Sequence, residues 1–278
     1  MKLSEKLGLG TVQFGLSYGI SNNSGKTSEK EVQKILNFAE TNNINILDSA
    51  SAYGNAEEVL GTCDLGRFKI VSKFLPASLG ITVDAQLANS LRNLKTETLY
   101  GYLAHRPMNL LDYPNEWEEL QALKATGKVK KVGFSLNDPG EIEKLLKNGF
   151  IPDLVQVPYN YFDRRFETVI LKLKSKGCEI HTRSAFLQGL FFMNPHSLNN
   201  YFNSIKPNLI KLQNVDGLGG SLLNFVLKQP FIDKVIIGVE NCHQLDQNMN
   251  ELKYASSLPA LDMEISDNIL IPSRWPQR

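Results

Sequence analysis

Two kinds of apolar pattern alternate along this chain. Short continuous runs fall at 7–13, 44–47, 67–74, 98–105, 130–135, 154–157, 178–184 and 234–238. Runs of this length bounded by polar residues predict buried strands. Between them, apolar residues recur every three or four positions, the spacing of one helix face. Val32, Ile35, Leu36 and Ala39 mark the first such face, and Val83, Leu87, Leu91 and Leu94 the next. Trp117, Leu120 and Leu123 follow, then Ile142, Leu145 and Leu146, then Phe166, Val169, Ile170 and Leu173. Leu222, Phe225 and Val226, and finally Leu245, Met249 and Leu252, complete the series, while a helix is expected to begin near Ala56 and run past Leu60.

Local signals punctuate this pattern. Ser28-Glu-Lys-Glu31 reads as a capping box, and Asp138-Pro-Gly-Glu141 as a second helix start with proline at the first helical position. Gly127, Gly149 and Gly177 sit where helices should end, and Pro230 stops another. Residues 14–26 read as a loop, residues 187–216 as an irregular stretch with room for an extra short helix, and the tail from about 256 has no clear period. Strand and helix thus alternate strictly, at intervals of roughly thirty residues, which implies parallel strands with right-handed crossovers. The expectation is an α/β fold, a closed (β/α)8 TIM barrel in one domain over 1–278. The competing open doubly wound sheet would carry a glycine fingerprint after the first strand. Gly8-Leu-Gly10 lacks its third glycine and a directly following helix.

Composition narrows the setting. A net charge of +1 gives no field that would draw nucleic acid or acidic partners. Cys63, Cys178 and Cys242 are far apart and odd in number, which fits a reducing compartment without a disulfide framework. The Met-Lys-Leu-Ser-Glu-Lys start has no apolar core of a signal peptide, and no apolar run is long enough to span a bilayer. A cytoplasmic protein without membrane attachment or bound metal is expected.

In a barrel the C-terminal strand ends converge on one mouth, where active sites lie. Asp48, Lys73 and His105 fall at the ends of three successive predicted strands, and Tyr53 enters from the loop after the second. Taken singly, each has a plain explanation: a turn aspartate, a solvated lysine, a packed tyrosine, a satisfied histidine. Together they make an acid–base constellation. A lysine ammonium lowers the pKa of a nearby phenol, and a carboxylate holds that lysine charged and in place. A histidine opposite can donate to a substrate oxygen, so the set suits reduction of a carbonyl to an alcohol. None of these residues supplies hydride; a nicotinamide cofactor would.

Asp48-x-Ala-x-x-Tyr53-Gly-x-x-Glu57-x-x-Leu60-Gly61, with Lys73 and His105 downstream, resembles the first signature and catalytic tetrad of the aldo-keto reductase family, and the likeness extends over nearly the whole chain. The resemblance implies a (β/α)8 barrel binding NAD(P)H across its mouth without a Rossmann fold or metal. It implies that Tyr53 is the general acid, Lys73 lowers its pKa, Asp48 supports Lys73 and His105 orients the carbonyl. By the same resemblance Ser135 and Gln156 grip the nicotinamide amide, and the asparagine usual after that serine is replaced by Leu136. The nicotinamide-stacking position, commonly aromatic, falls on Arg183, whose planar guanidinium can also stack. Ser184, Phe186, Gln188 and Gly189 belong to a loop that wraps the pyrophosphate. The last cofactor segment holds Gly238, Glu240 and Gln244, with a helix start that receives phosphate and Gln247 and Asn248 against adenine. Members that prefer NADP carry Lys or Arg in this segment. Glu240 would repel a 2′-phosphate and can accept a bond from a free 2′-hydroxyl, so NAD(H) is expected to serve at least as well as NADP(H).

The resemblance places substrate choice in loops carrying Phe14, Tyr18, Tyr113, Phe162, Phe191, Phe192, Tyr201, Phe202 and Trp275, an aromatic set suited to a sugar, steroid or small aldehyde. The opening Leu9-Gly-Thr-Val-Gln-Phe-Gly-Leu-x-Tyr-Gly-Ile20, with Arg183-Ser-x-Phe-Leu-Gln-Gly189, is similar to a bacterial branch of the family. Some members of that branch accompany surface-polysaccharide genes, which points to a carbonyl-bearing sugar derivative. Another type is an NADH-binding regulator of cell division. The alternative reading is therefore an NAD(H)-binding sensor with little turnover and a protein partner, and the intact tetrad argues against it.

Overall fold

The computed structural model describes residues 3–77, 80–261 and 263–276. Eight parallel strands close into a barrel in sequence order. They are β1 (Leu7–Gly10), β2 (Ile46–Asp48), β3 (Lys69–Phe74), β4 (Leu99–Ala104), β5 (Val129–Ser135), β6 (Leu154–Pro158), β7 (Glu179–Arg183) and β8 (Lys234–Gly238). The helices are α1 (Val12–Gly15), α2 (Glu29–Thr41), α3 (Ala56–Leu60), α4 (Val83–Leu94), α5 (Asn115–Ala125), α6 (Pro139–Lys147), α7 (Glu167–Ser175), α8 (Lys206–Gln213), α9 (Leu218–Leu227), α10 (Cys242–Glu251) and α11 (Asp267–Leu270). Among the described residues no helix is long and apolar enough to cross a membrane.

The apolar runs became strands because both their faces are covered. One face packs on the helices in the main core, for example Leu47, Ile70, Phe134 and Ile180 against Ile35, Leu87, Leu120 and Ile170. The other fills the barrel, where Val71, Leu103 and Leu154 form a small cluster of their own. A separate core of Phe162, Phe191, Phe202, Leu212 and Ile269 lies under the long segment after β7 and the C-terminal tail.

Three local expectations change. The first run stops as a strand at Gly10, because Thr11 turns inward; its backbone N–H and hydroxyl both donate to the Asp48 carbonyl, at 3.0 and 3.1 Å. The stretch read as a loop then opens with the single turn α1. The capping box of α2 is half made. Ser28 Oγ accepts the Glu31 N–H, but the Glu31 carboxylate accepts instead from the Cys242 N–H of α10, at 2.9 Å. The box at Asp138 and Glu141 is complete. Helices α5, α6 and α7 are followed by Gly127, Gly149 and Gly177 at φ of 77°, 79° and 84°, the left-handed conformation that a terminating glycine supplies.

Candidate active site

The register sets the site's floor. Gly10 of β1 pairs with both Asp48 of β2 and Gly238 of β8, Ser135 of β5 pairs with Gln156 of β6, and Pro158 of β6 with Arg183 of β7. These positions stand at the C-terminal ends of their strands. Lys73 is fully buried just below them. Its Nζ donates to Asp48 Oδ2 at 2.7 Å and to the Ser49 carbonyl at 2.9 Å. Burial alone would depress the lysine pKa, but the adjoining Asp48 carboxylate and the Tyr53 phenol outweigh it and hold the ammonium above its ordinary value. Asp48 is fixed from its other side, where Oδ1 accepts from Gln156 Nε2 at 2.8 Å.

Tyr53 is placed above this pair by a tight turn. Its N–H donates to the Ala50 carbonyl, and its own carbonyl accepts the N–H of Ala56 at the start of α3. Gly54 follows at φ 57°, where a Cβ would stand 2.7 Å from the Gly15 carbonyl oxygen, so only glycine lets α1 and this turn meet. The Lys73 ammonium lies 5.2 Å from the Tyr53 ring centre. The His105 ring meets Tyr53 edge-on, with centres 5.8 Å apart. Burial, then the charges of Lys73, Arg183 and Arg106, push the His105 pKa down to about 3, so the imidazole is neutral at ordinary pH. His105 Nδ1 is buried without a hydrogen-bond partner among the described residues.

A cavity of about 970 Å³ opens above these groups. Asp48, Tyr53, His105, Ser135, Arg183, Ser184, Phe186, Gln188, Gly189, Gly238, Glu240, Gln244, Gln247 and Asn248 all line it. The expected residues therefore share one wall, with two exceptions that lie beneath it. One is Lys73, as its partnership with Asp48 requires. The other is Gln156, which was expected to grip a cofactor amide. It is fully buried, its Nε2 is engaged by Asp48, and its Oε1 has no partner. Arg183 crosses from β7 to the end of β5. Its Nη2 donates to the Leu136 carbonyl at 2.9 Å and to Asn137 Oδ1 at 2.6 Å, and its Nη1 to Ser184 Oγ at 3.3 Å.

The far end of the cavity is acidic and already hydrogen-bonded. Glu240 and Glu251 line it, and neither lysine nor arginine does so at the start of α10. The helix start expected to receive phosphate has two of its first-turn donors engaged, and the Glu240 N–H before it as well. Cys242 N–H donates to Glu31, Gln244 N–H to Asn241 Oδ1 at 2.9 Å, and the Glu240 N–H to Gln244 Oε1 at 2.8 Å.

The loop after β1 crosses the opening and meets the loop after β7. The Ile20 N–H donates to the Gln188 carbonyl at 3.1 Å, and Gln188 Nε2 to the Tyr18 hydroxyl at 2.8 Å. To make this contact the β7 loop holds Ser184, Leu187, Gln188 and Gly189 at positive φ.

Of the aromatic residues expected at the mouth, only Tyr18 and Phe192 line the cavity. Phe14 is fully buried in the main core, and Phe162, Phe191 and Phe202 belong to the core under the tail. Tyr201 and Trp275 pack on that core, their polar tips donating to tail carbonyls. Leu270, Ile271 and Pro272 of the tail form the wall instead. Residue reading also passed over Gln13, Asn137, Arg165 and Glu251, all on the wall. Asn137 was one position from the expected asparagine; the others have no local signal.

The sequence profile of the Aldo/keto reductase family matches residues 6–271. The aldo-keto reductase YhdN of Bacillus subtilis is 27% identical over 60% of this chain and 54% of its own length. The NADPH-dependent codeinone reductase 1-2 of Papaver somniferum is 28% identical over 54% of this chain and 52% of its own. The chain thus spans about half the length of these curated relatives. Among solved structures, the holo form of aldo-keto reductase AKR11C1 from Bacillus halodurans superposes with a TM-score of 0.72, covering 91% of this chain and 88% of that one at 20% identity. With a family profile matched from the first strand to the tail, and an eight-stranded barrel to go with it, the chain belongs to the aldo/keto reductase family.

Proposed function

We propose that this protein reduces an aldehyde or ketone to an alcohol, with Tyr53 as proton donor and NAD(H) used at least as well as NADP(H). The observation that carries the reading is the fully buried Lys73–Asp48 pair beneath Tyr53, with neutral His105 facing the same phenol. A dinucleotide suits the cavity on three counts. The cavity's size is within the range of ligand sites, the expected cofactor residues from Ser135 to Asn248, Gln156 apart, line it, and buried polar atoms at Gln13 and His105 lack partners. When bound, the nicotinamide supplies hydride to the carbonyl carbon. Ser135 and Asn137, which both line the cavity, would hold its amide.

The protein's own part is proton transfer and charge placement. A carbonyl oxygen set between Tyr53 and His105 accepts a hydrogen bond from the imidazole. Because that imidazole stays neutral, it polarises the oxygen without competing as an acid. As negative charge grows on the oxygen, Tyr53 delivers its proton. The ammonium of Lys73 stabilises the phenolate left behind, and Asp48, locked by Gln156, holds the ammonium in place. Relay groups already fixed by burial need no reorganisation as charge develops.

The preference for NAD(H) rests on the far end. A 2′-phosphate there would meet Glu240 and Glu251, and the Cys242 and Gln244 N–H groups at the start of α10 are engaged by Glu31 and Asn241. The apolar wall of Phe186, Phe192, Leu270 and Ile271 supports a carbonyl compound with an uncharged body, a sugar derivative among them. Titration with NADH and NADPH at fixed salt, followed by a turnover screen over aldehydes and aldoses, tests all of this. Binding with cofactor oxidation is expected, NADH at least as tight as NADPH. Binding without turnover on any carbonyl would favour a nucleotide sensor instead.

A further inference from the structure

We infer that Arg183 makes this cavity discriminate between the two redox states of its cofactor, holding the uncharged reduced nicotinamide and rejecting the cationic oxidised ring. The inference rests on the proposed use of NAD(H). Hydride and proton must reach the two ends of one carbonyl, so the ring has to lie in contact distance of the space between Tyr53 and His105. The fixed charges around that space can be counted. Lys73 and Asp48 cancel at 2.7 Å. His105 is neutral. Of the two arginines whose charge reaches His105, Arg106 does not line the cavity, and Arg183 lines it with Ser135 and Tyr53.

Among the described residues no carboxylate neutralises that guanidinium. Its partners are a backbone carbonyl, an amide oxygen and a hydroxyl, and among the described residues it forms no ion pair. The other arginine on the cavity wall, Arg165, is different: Asp163 binds it through two oxygens, at 3.0 and 2.9 Å, and Asp267 through one at 3.0 Å. Arg183 is also only partly exposed, and its charge is felt at His105 and at Tyr18. Its bonds to Leu136 and Asn137 hold it against the end of β5.

The oxidised ring carries a positive charge that the reduced ring lacks. Two unit charges a few ångströms apart in a partly buried site interact strongly enough to change affinity by about tenfold or more. A tenfold tighter grip on the reduced form raises the potential of the bound two-electron couple by about 30 mV. Bound NADH is then a slightly weaker donor, but NADH loads against competing NAD+, and NAD+ leaves readily after turnover.

The test is equilibrium binding on the full chain at fixed salt. NADH is titrated by its own fluorescence, NAD+ by displacement of NADH, and ADP-ribose, which has no ring, serves as the control. NADH is expected to bind about tenfold or more tightly than NAD+. Arg183→Met brings that ratio close to one, mainly by tightening NAD+, and leaves ADP-ribose unchanged. Arg183→Lys, which keeps the charge, retains most of the ratio, and Arg183→Gln reads the same loss as Arg183→Met if the latter folds poorly. Equal affinities for NADH and NAD+ in the unmodified protein, or a ratio untouched by loss of the charge, would overturn the role of Arg183 and leave the reductase reading intact. Binding of neither nucleotide would overturn both.

Discussion

The barrel carries the same four side-chain chemistries at each of its ends. At the C-terminal mouth stand Asp48, Tyr53, Lys73 and His105; at the N-terminal end stand Glu179, Tyr100, Lys131 and His181. Their wiring differs. At the N-terminal end the carboxylate is the hub. The Tyr100 hydroxyl donates to Glu179 Oε2 at 2.7 Å, Lys131 pairs with the same carboxylate, and His181 Nε2 meets its other oxygen at 2.7 Å. Burial and then the bond to Glu179 push the Tyr100 pKa up to about 12, although the ammonium groups of Lys69, Lys130 and Lys131 all lie within 5.9 Å of its ring centre. At the C-terminal mouth the lysine is the hub, bonded to the Asp48 carboxylate beside it and lying under the Tyr53 ring, so the phenol faces a cation. Residue types do not make an acid; what makes one is which group holds the centre and whether a cavity lies over it. Asp48, Tyr53 and His105 line the large cavity, with Lys73 directly beneath, and no member of the N-terminal set does so.

The largest expected break in this comparison is Tyr53→Phe against Tyr100→Phe. Removing the Tyr53 hydroxyl should lower carbonyl reduction by about 10²–10⁴-fold while the NADH dissociation constant moves little. Tyr100→Phe should leave turnover within about twofold. Steady-state rates and fluorescence titrations on both variants check this, and retained activity in Tyr53→Phe would sink the assignment of the acid.

Lysine removal comes next. Lys73→Met leaves Asp48 buried and unpaired, a loss of about 3–5 kcal/mol, and abolishes most activity as well. Lys131→Met costs about 1 kcal/mol, because that ion pair is partly solvated and Glu179 keeps its other donors. Urea unfolding of the two variants gives both numbers.

Acid separates the two ends in a third way. His105 has a folded pKa of about 3, below the 6.5 of the unfolded chain. Between those values the unfolded state binds more protons, so stability is lost as pH falls from 6.5 towards 3. Glu179 is depressed too: burial opposes its ionisation, but the bonds from His181, Lys131 and Tyr100 outweigh it. Its contribution is present above the ordinary carboxylate range and disappears only below about pH 4.5. Melting temperatures from pH 7 to 4 should therefore fall first through His105, and His105→Asn should flatten the upper part of that decline. The smallest effect belongs to the cofactor end, where Glu240→Gln should tighten NADPH by about fivefold with NADH nearly unchanged, read by the same titrations.

Much of the fold was legible because its signals are local. The run at 234–238 became β8 with the same bounds, since a strand buried on both faces shows itself as uninterrupted apolar residues. The tetrad was legible for the same reason, each member standing at or just beyond a strand end. What stayed hidden depends on partners far away in sequence. Gln156 reads only as a cofactor contact, and its bond to Asp48, 108 residues earlier, has no local signal. Glu31 reads like half of a capping box until Cys242 arrives 211 residues later. The aromatic loop residues could not be sorted into wall and core, because Tyr18 and Phe191 differ only in what the tail later covers.

Glu31 does two jobs, and that makes cofactor choice hard to change in a single step. Its carboxylate closes the first turn of α10 and adds negative charge two residues beyond Glu240. Replacing it to admit a phosphate leaves the Cys242 N–H without its acceptor while Asn241 still caps the helix, a loss of about 1 kcal/mol; replacing Glu240 alone leaves a charge behind. The two substitutions should therefore combine non-additively in a double-mutant cycle. A lineage drifting from one dinucleotide to the other would have to pass through an intermediate that is either less stable or less selective than both its neighbours.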